Sequence, residues 1–243
     1  MMPVEGERRI WIDTAADRKD LAVFADRALR MDEAAVIRLR QRPGGQERSD
    51  PGMNTGERVV AWLATGFDVL ASRVVAGRIR PADISVGADE LARGLAEADH
   101  SGVIDAGFPM DSAWRGALPP DGGFAHLDDV PARIILDLAQ RGSMLAREHS
   151  GAHGPPPSLL DQEVLAVSYG DASVGIPMRC VFALTAMGFL PQSRPAADGA
   201  ALDPQAVPAD EIVRVRAMSA WLRIDARFGS VYRRRGDPAL VLR

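Results

Sequence analysis

Apolar positions near the N-terminus first alternate and then spiral. "RRIWID" (residues 8–13) reads as a short strand, and Thr14 follows with Asp17 three residues on, a Thr-x-x-acid pattern in which the threonine caps a helix. Behind that cap, Leu21, Phe24, Ala25, Ala28 and Leu29 recur at i, i+3, i+4, i+7 and i+8, while Asp20, Arg27 and Arg30 lie off that face. Alternation returns in "AAVIRLRQR", with Ile37 and Leu39 on one side and Arg38 and Arg40 on the other. "QRPGGQERSDPGMNTGE" is a polar, Gly- and Pro-rich loop, and "RVVAWLAT" and "FDVLASRVVAGRI", separated around Gly66, predict a hairpin. "ADELARGLAEA" closes this part as a short helix carrying Leu91 and Leu95. The order β-α-β-β-β-α favours an antiparallel α+β sandwich over a doubly wound parallel sheet.

Residues 99–127 break the periodicity with Gly and Pro yet carry Phe108, Trp114, Leu118 and Phe124. Such side chains predict an ordered crossover pinned by its aromatics rather than a free linker. The second half reads as helical. "DDVPARIILDLAQRGSMLAREH" has Asp129 as N-cap, Pro131 in the first turn, and Ile134, Ile135, Leu138 and Leu145 on one face. "SLLDQEVLAVS" shows a capping-box pattern in Ser158 and Asp161, and "YGDASVG" is a turn. "IPMRCVFALTAMGFL" is apolar almost all round, which predicts a buried helix starting near Pro177. Residues 191–210 are low-complexity Ala, Pro and Asp, predicted disordered. After them come "EIVRVRAMSAWLRID", a turn, "SVYRRR" and "ALVLR", all strand-like.

The expected fold class is therefore α+β: an antiparallel sheet with packed helices over 1–98, the crossover over 99–127, and a helical, winged-helix-like half over 128–243. In that analogy three helices precede a basic hairpin acting as a wing.

Composition adds a compartment and a charge asymmetry. The 243-residue chain is long enough for one large domain or two small ones, and its formal net charge is −4. Lys19 is the only lysine among 29 basic residues, so arginine excess is first a codon signature of a high-GC genome. One cysteine, Cys180, permits no intramolecular disulfide. "MMPVEGERRIWID" lacks the apolar core of a secretory signal, and no apolar run reaches the ~20 residues of a membrane span. These features point to a cytoplasmic protein without membrane contact.

Within the acidic chain, residues 211–243 hold eight arginines against Glu211, Asp225 and Asp237, for +5, while residues 128–210 hold five against ten acids, for −5. A basic hairpin on an acidic body can focus a polyanion toward one edge. The candidate contact residues are Arg214, Arg216, Trp221, Arg223, Arg227, Tyr232, Arg233, Arg234 and Arg235, and the partner is a nucleic acid or a protein. Trp221 and Tyr232 flank the turn and either pair across it or offer a stacking face. A recognition helix needs polar side chains for base edges, and "IPMRCVFALTAMGFL" offers only Arg179 and Thr185, which tilts the balance toward protein or backbone contacts. The bland alternative is a solvated hairpin whose charges block aggregation.

No catalytic signature is legible. The chain lacks Gly-x-Ser-x-Gly, a Walker-type loop and a dinucleotide fingerprint. His149 and His153 stand four apart, but Gly151 and Gly154 place them at a helix end, so no metal is expected. Asp128 with Asp129, and Asp161 with Glu163, do not share a helix face, and Cys180 reads as a core thiol. No cofactor follows from any motif. The competing class is an enzyme or small-molecule binder with a pocket between the halves, beside Trp114 and Phe124. A third possibility is homodimerisation through the hairpin's outer strand.

"WRGALPPDGGF" and "WLRIDARFGSVYRR", with the nearly lysine-free composition, resemble conserved proteins of high-GC actinobacteria to which no function is assigned. The resemblance implies a bacterial cytoplasmic setting and no activity.

Overall fold

The structure, a computed structural model, describes residues 8–42, 56–99, 101–149, 156–170, 172–191 and 204–236. The chain forms two compact units, Met1–Ala64 with Ser72–Ala117, and Thr65–Ala71 with Leu118–Arg243. The short segment 65–71 belongs with the second unit because Phe67 packs on Phe182, ring centroids 5.9 Å apart, and its carbonyl accepts from Arg179 Nη1 at 2.7 Å.

In the first unit, β1 (Arg9–Ile12) leads into α1 (Ala15–Met31), where Thr14 accepts from the Asp17 backbone N–H as its spacing predicted. Leu21, Phe24, Ala25 and Ala28 are the buried face of α1. The strands β2 (Val36–Arg42), β3 (Arg58–Ala64), β4 (Leu70–Arg80) and β5 (Asp83–Gly87) line up in the order β5-β2-β3-β4. α2 (Ala88–Glu97) packs on α1, and β6 (Val103–Asp105) pairs antiparallel with β1, which also pairs antiparallel with β4. Ile37 and Leu39 are buried, as alternation required, and Ile10, Ile12, Ile84, Leu91 and Ile104 complete the core. The strand "DISVG" escaped the sequence reading because five residues give too few alternations. Most of the loop expected over 41–57 lies outside the described residues.

β1 fits between its neighbours because glycine flanks it. A Cβ on Gly77 would run into the Trp11 carbonyl oxygen, and one on Gly102 (φ +69°) would come within 2.6 Å of the Ile12 carbonyl oxygen. Backbone approach that close requires the residue without a side chain.

The second unit overturns the expected winged-helix-like half. "AHLDDVP", read in part as a helix start, is β7 (Ala125–Pro131), so Asp129 is a strand residue and α3 begins after Pro131, at Ala132–His149. "SLLDQEVLAVS" splits: α4 (Pro157–Asp161) is a single short turn of helix without a side-chain cap, and Glu163–Tyr169 is β8. β8 pairs antiparallel with β9 (Ala172–Pro177), and α5 (Met178–Ala186) follows, buried on all sides. The long hairpin is no wing. β10 (Ile212–Ala217), β11 (Trp221–Ala226) and β12 (Gly229–Arg234) line up with β7 in the sheet order β12-β11-β10-β7. Local capping patterns cost the chain little to present, but the pairing of β8 with β9 and of β7 with the distant β10 outweighs them.

Core positions on α3 are also corrected. Ile135, Leu136 and Ala139 are buried, while Ile134, Met144 and Leu145 are exposed. The helix turns its Gly142 side to α5, where a Cβ would lie 2.7 Å from the Met178 side chain. Above the helices, Val213, Val215, Ile224 and Val231 make the buried face of the sheet. In the crossover, Phe108 is exposed and anchors nothing, whereas Trp114 sits against Arg38 in the first unit and Phe124 against Tyr232 in the second. The stretch expected to be disordered lies partly outside the described residues; its end forms a 3-10 turn, Pro204–Ala206, followed by buried Val207. "ALVLR" also lies outside them.

Candidate partner-binding groove

Strand period places Ile212, Arg214 and Arg216 of β10 on one face of the sheet, away from Val213 and Val215. The antiparallel register sets Arg214 opposite Asp225 and Arg216 opposite Arg223 on β11, and Arg214 opposite Asp129 on β7. With Arg227 in the two-residue turn beyond β11, these side chains surround an open groove of about 410 Å³ lined by Glu211, Ile212, Arg214, Arg216, Arg223, Asp225, Ala226 and Arg227.

Carboxylates hold the guanidinia in place. Arg214 makes a fork to Asp129, Nε to Oδ1 at 2.8 Å and Nη2 to Oδ2 at 3.1 Å. Arg216 and Arg223 both bond Asp225, the latter from Nε at 2.7 Å. Arg227 reaches buried Glu211 through Nε at 2.8 Å and through Nη2. The Arg214 guanidinium, with His126 Nε2 at 3.0 Å adding to it, holds the Asp129 carboxyl at about 2. In return Asp129 raises Arg214, and Glu211 raises Arg227. Arg223 is further fixed by Phe124 and Tyr232, whose ring centroids lie 5.7 and 5.5 Å from its guanidinium carbon.

Among the described residues, each of these arginines still has N–H donors to spare. Arg214 keeps Nη1, Arg216 keeps Nε and Nη2, and Arg223 keeps both Nη groups. Side-chain exposures of 43% for Arg214 and 57% for Arg227, against 27% and 22% for Arg216 and Arg223, grade the groove from an open rim to a more sheltered floor. Chemically the groove is a fixed set of forked donors suited to oxyanions.

Of the residues singled out by sequence, Arg214, Arg216, Arg223 and Arg227 come together here. The others do not. Trp221 and Tyr232 are buried and not cross-strand partners: Trp221 stands opposite Arg234 and Tyr232 opposite Arg223. Neither offers a free stacking face. Strand alternation splits the run of three arginines, so Arg233 turns to Asp161 at 3.4 Å, Arg234 covers the Trp221 ring at 5.6 Å, and Arg235 donates to the Met218 carbonyl at 3.0 Å. Sequence reasoning missed Asp129 and Asp225 as site residues. Asp225 was recoverable, since "RVRA" aligned against "WLRIDA" as a hairpin puts it beside Arg214; Asp129, 85 positions from its partner, has no local signal.

Elsewhere in the second unit, Arg179 is buried and bonds Asp161 at 2.6 Å, so it reads no base edge. Burial pushes the Cys180 thiol up to about 12. Among the described residues no three His, Cys, Asp or Glu side chains gather where a metal could be held, and no helix is long and apolar enough to cross a membrane. The side chain of His149, and all of His153, lie outside the described residues. Trp114 and Phe124, expected beside one pocket, fall in different units.

Comparison with known proteins assigns the fold. Residues 5–116 match the model of a domain of unknown function (DUF8010), and residues 119–238 that of another (DUF8185). No curated protein matches the chain in sequence. Among solved structures, a protein assigned as a DNA polymerase III beta subunit of Eubacterium rectale superposes with a TM-score of 0.54 at 10% identity, covering 94% of this chain and 64% of its own. The DNA polymerase sliding clamp of Bacillus subtilis gives 0.50 at 10%, covering 98% and 68%, and the DnaN sliding clamp of Bartonella birtlesii 0.50 at 14%, covering 95% and 66%. The chain has the fold of a sliding clamp and spans about two thirds of the length of these relatives. That finding replaces the winged-helix outline.

Proposed function

We propose that the chain is a non-catalytic binding protein on a sliding-clamp fold, and that it holds a protein partner against the arginine-lined face of β10 and β11. The observation that carries this is the convergence of Arg214, Arg216, Arg223 and Arg227 on one groove with unused donors. The fold supports a binding role, since its relatives are named as DNA polymerase clamps.

The DNA in those names motivates a nucleic-acid reading, but the groove favours protein. A continuous phosphate chain gains from a run of uncompensated cations, and here Asp129, Asp225 and Glu211 offset much of the charge, leaving single donor positions that suit a few placed carboxylates. Single-strand binders stack bases on open aromatics, and Trp221 and Tyr232 are buried. The bacterial cytoplasm and self-association belong to the same proposal, the former supported by the lysine-poor composition and single buried cysteine.

Fluorescence anisotropy with a labelled oligo-glutamate peptide and a labelled DNA duplex, at about 50 and 200 mM salt, tests the reading. Peptide binding that is lost in an Arg214→Ala/Arg216→Ala variant supports it. Duplex binding lost in the same variant, with no peptide binding, replaces the protein partner by nucleic acid.

A further inference from the structure

Resting on that reading, we infer that the groove takes an extended acidic segment of the partner, with one apolar and two acidic side chains at alternate positions, read in order by Ile212, Arg214 and Arg216. β10 is paired on both sides, to β7 and to β11, so its backbone groups are spent and no strand can be added there. Recognition on this strand passes through side chains alone. Those side chains are evenly set, because the irregularity in the β7 pairing is taken by an extra residue of β7, Leu127, and β10 stays regular. Residues two apart on a strand lie roughly 7 Å from one another. An extended peptide repeats at the same distance on each of its faces, so acids at i and i+2 meet Arg214 and Arg216 together, and acids at adjacent positions point to opposite sides.

The ends of the groove differ in charge, which sets the order. Beside Ile212, Arg227 spends Nε and Nη2 on the buried Glu211 carboxylate and keeps only Nη1 among the described residues; Ile212 itself is 40% exposed and offers an apolar surface. Toward Arg216 the free donors accumulate, with Nε and Nη2 of Arg216 beside both Nη groups of Arg223 across the strand pair. The apolar position of the ligand therefore lies over Ile212 and its second acid over Arg216.

Three labelled probes on the full chain test this: a peptide with leucine, glutamate and glutamate at alternate positions among serines, a peptide of the same composition with the three adjacent, and single-stranded oligo-dT. The alternating peptide should bind about tenfold tighter than the adjacent one, and Arg216→Ala should weaken it about tenfold. Arg216→Lys keeps the charge but loses the fork, and should weaken it as well if the variant melts like the wild type. Arg234→Ala, outside the groove, should change nothing. Equal affinity for the two peptides overturns the spacing and leaves an acid-binding groove. Binding of oligo-dT alone, or of no probe, overturns the protein-partner reading together with the inference.

Discussion

Arg216 and Arg223 face each other directly across β10 and β11, and both guanidinia close on the Asp225 carboxylate, which Ser230 also meets at 2.5 Å. Opposed like charges weaken an antiparallel pair; the shared carboxylate turns the repulsion into a bridge. Removing that charge leaves two partly sheltered cations face to face. Asp225→Asn should therefore lower stability by about 1–3 kcal/mol in urea titration. Adding Arg216→Ala should recover part of the loss, a coupling that independent sites would not show.

Acid should loosen the seam between β7 and β10. The Asp129 carboxyl sits at about 2 in the folded chain, below the 3.8 of a free aspartate, because Arg214 and then His126 favour its charged form. A depressed folded value means the unfolded chain takes up the proton first on acidification. Its stabilisation is complete above about pH 4 and lost as the pH falls toward about 2. The stability difference between wild type and Asp129→Asn, read from urea midpoints, should be full at neutral pH and shrink across that window. A difference independent of pH would show that packing, not charge, joins the two strands.

Gly77 should tolerate no side chain. Its Cβ would meet the Trp11 carbonyl, a backbone atom that cannot swing aside, so Gly77→Ala must displace β1 from β4. A loss of roughly 2–4 kcal/mol in thermal or urea unfolding is expected. Gly142→Ala is the contrast: its Cβ would meet the flexible end of Met178, and the helix gains propensity, so its cost should be smaller.

Arg179 should matter as volume more than as charge. It is buried, but its carboxylate partners Asp161 and Asp68 stay largely in solvent, so removing the cation strands no buried anion. Arg179→Met should cost under about 1.5 kcal/mol, and Arg179→Ala about 2–3, the difference being the cavity left beneath the Phe67 turn.

Cys180 should be silent to thiol reagents in the folded chain. Desolvation in α5 raises its thiol to about 12, so thiolate is scarce and access is closed. Labelling by iodoacetamide at neutral pH should appear only in denaturant; labelling of the native chain would mean that α5 opens.

The legibility of the chain follows the range of the interactions. Thr14 with Asp17, the apolar face of α1, the alternation of Ile37 and Leu39, and the all-apolar α5 were readable because each is decided within a few residues. Asp129 was misread for the converse reason: Asp-Asp-Val-Pro fits a helix start, and only the pairing of β7 with β10, which sets Asp129 opposite Arg214, makes it a strand. Glu163–Tyr169 was misread likewise, since an apolar stretch after a capping pattern suits either period until β9 pairs with it. The arginine hairpin stood out by charge, yet the charge count could not sort its members, because alternation sends Arg233 and Arg234 to opposite faces and register brings Arg214 and Arg216 to the acids.

By itself the sequence determined the local elements, the inert thiol and the concentration of arginine near one turn, because propensity, capping and composition act between neighbours. Tertiary structure alone decided the clamp topology, which arginines meet in a groove, and which carboxylates hold them, because sheet register is set by burying one face over strands far apart in the chain.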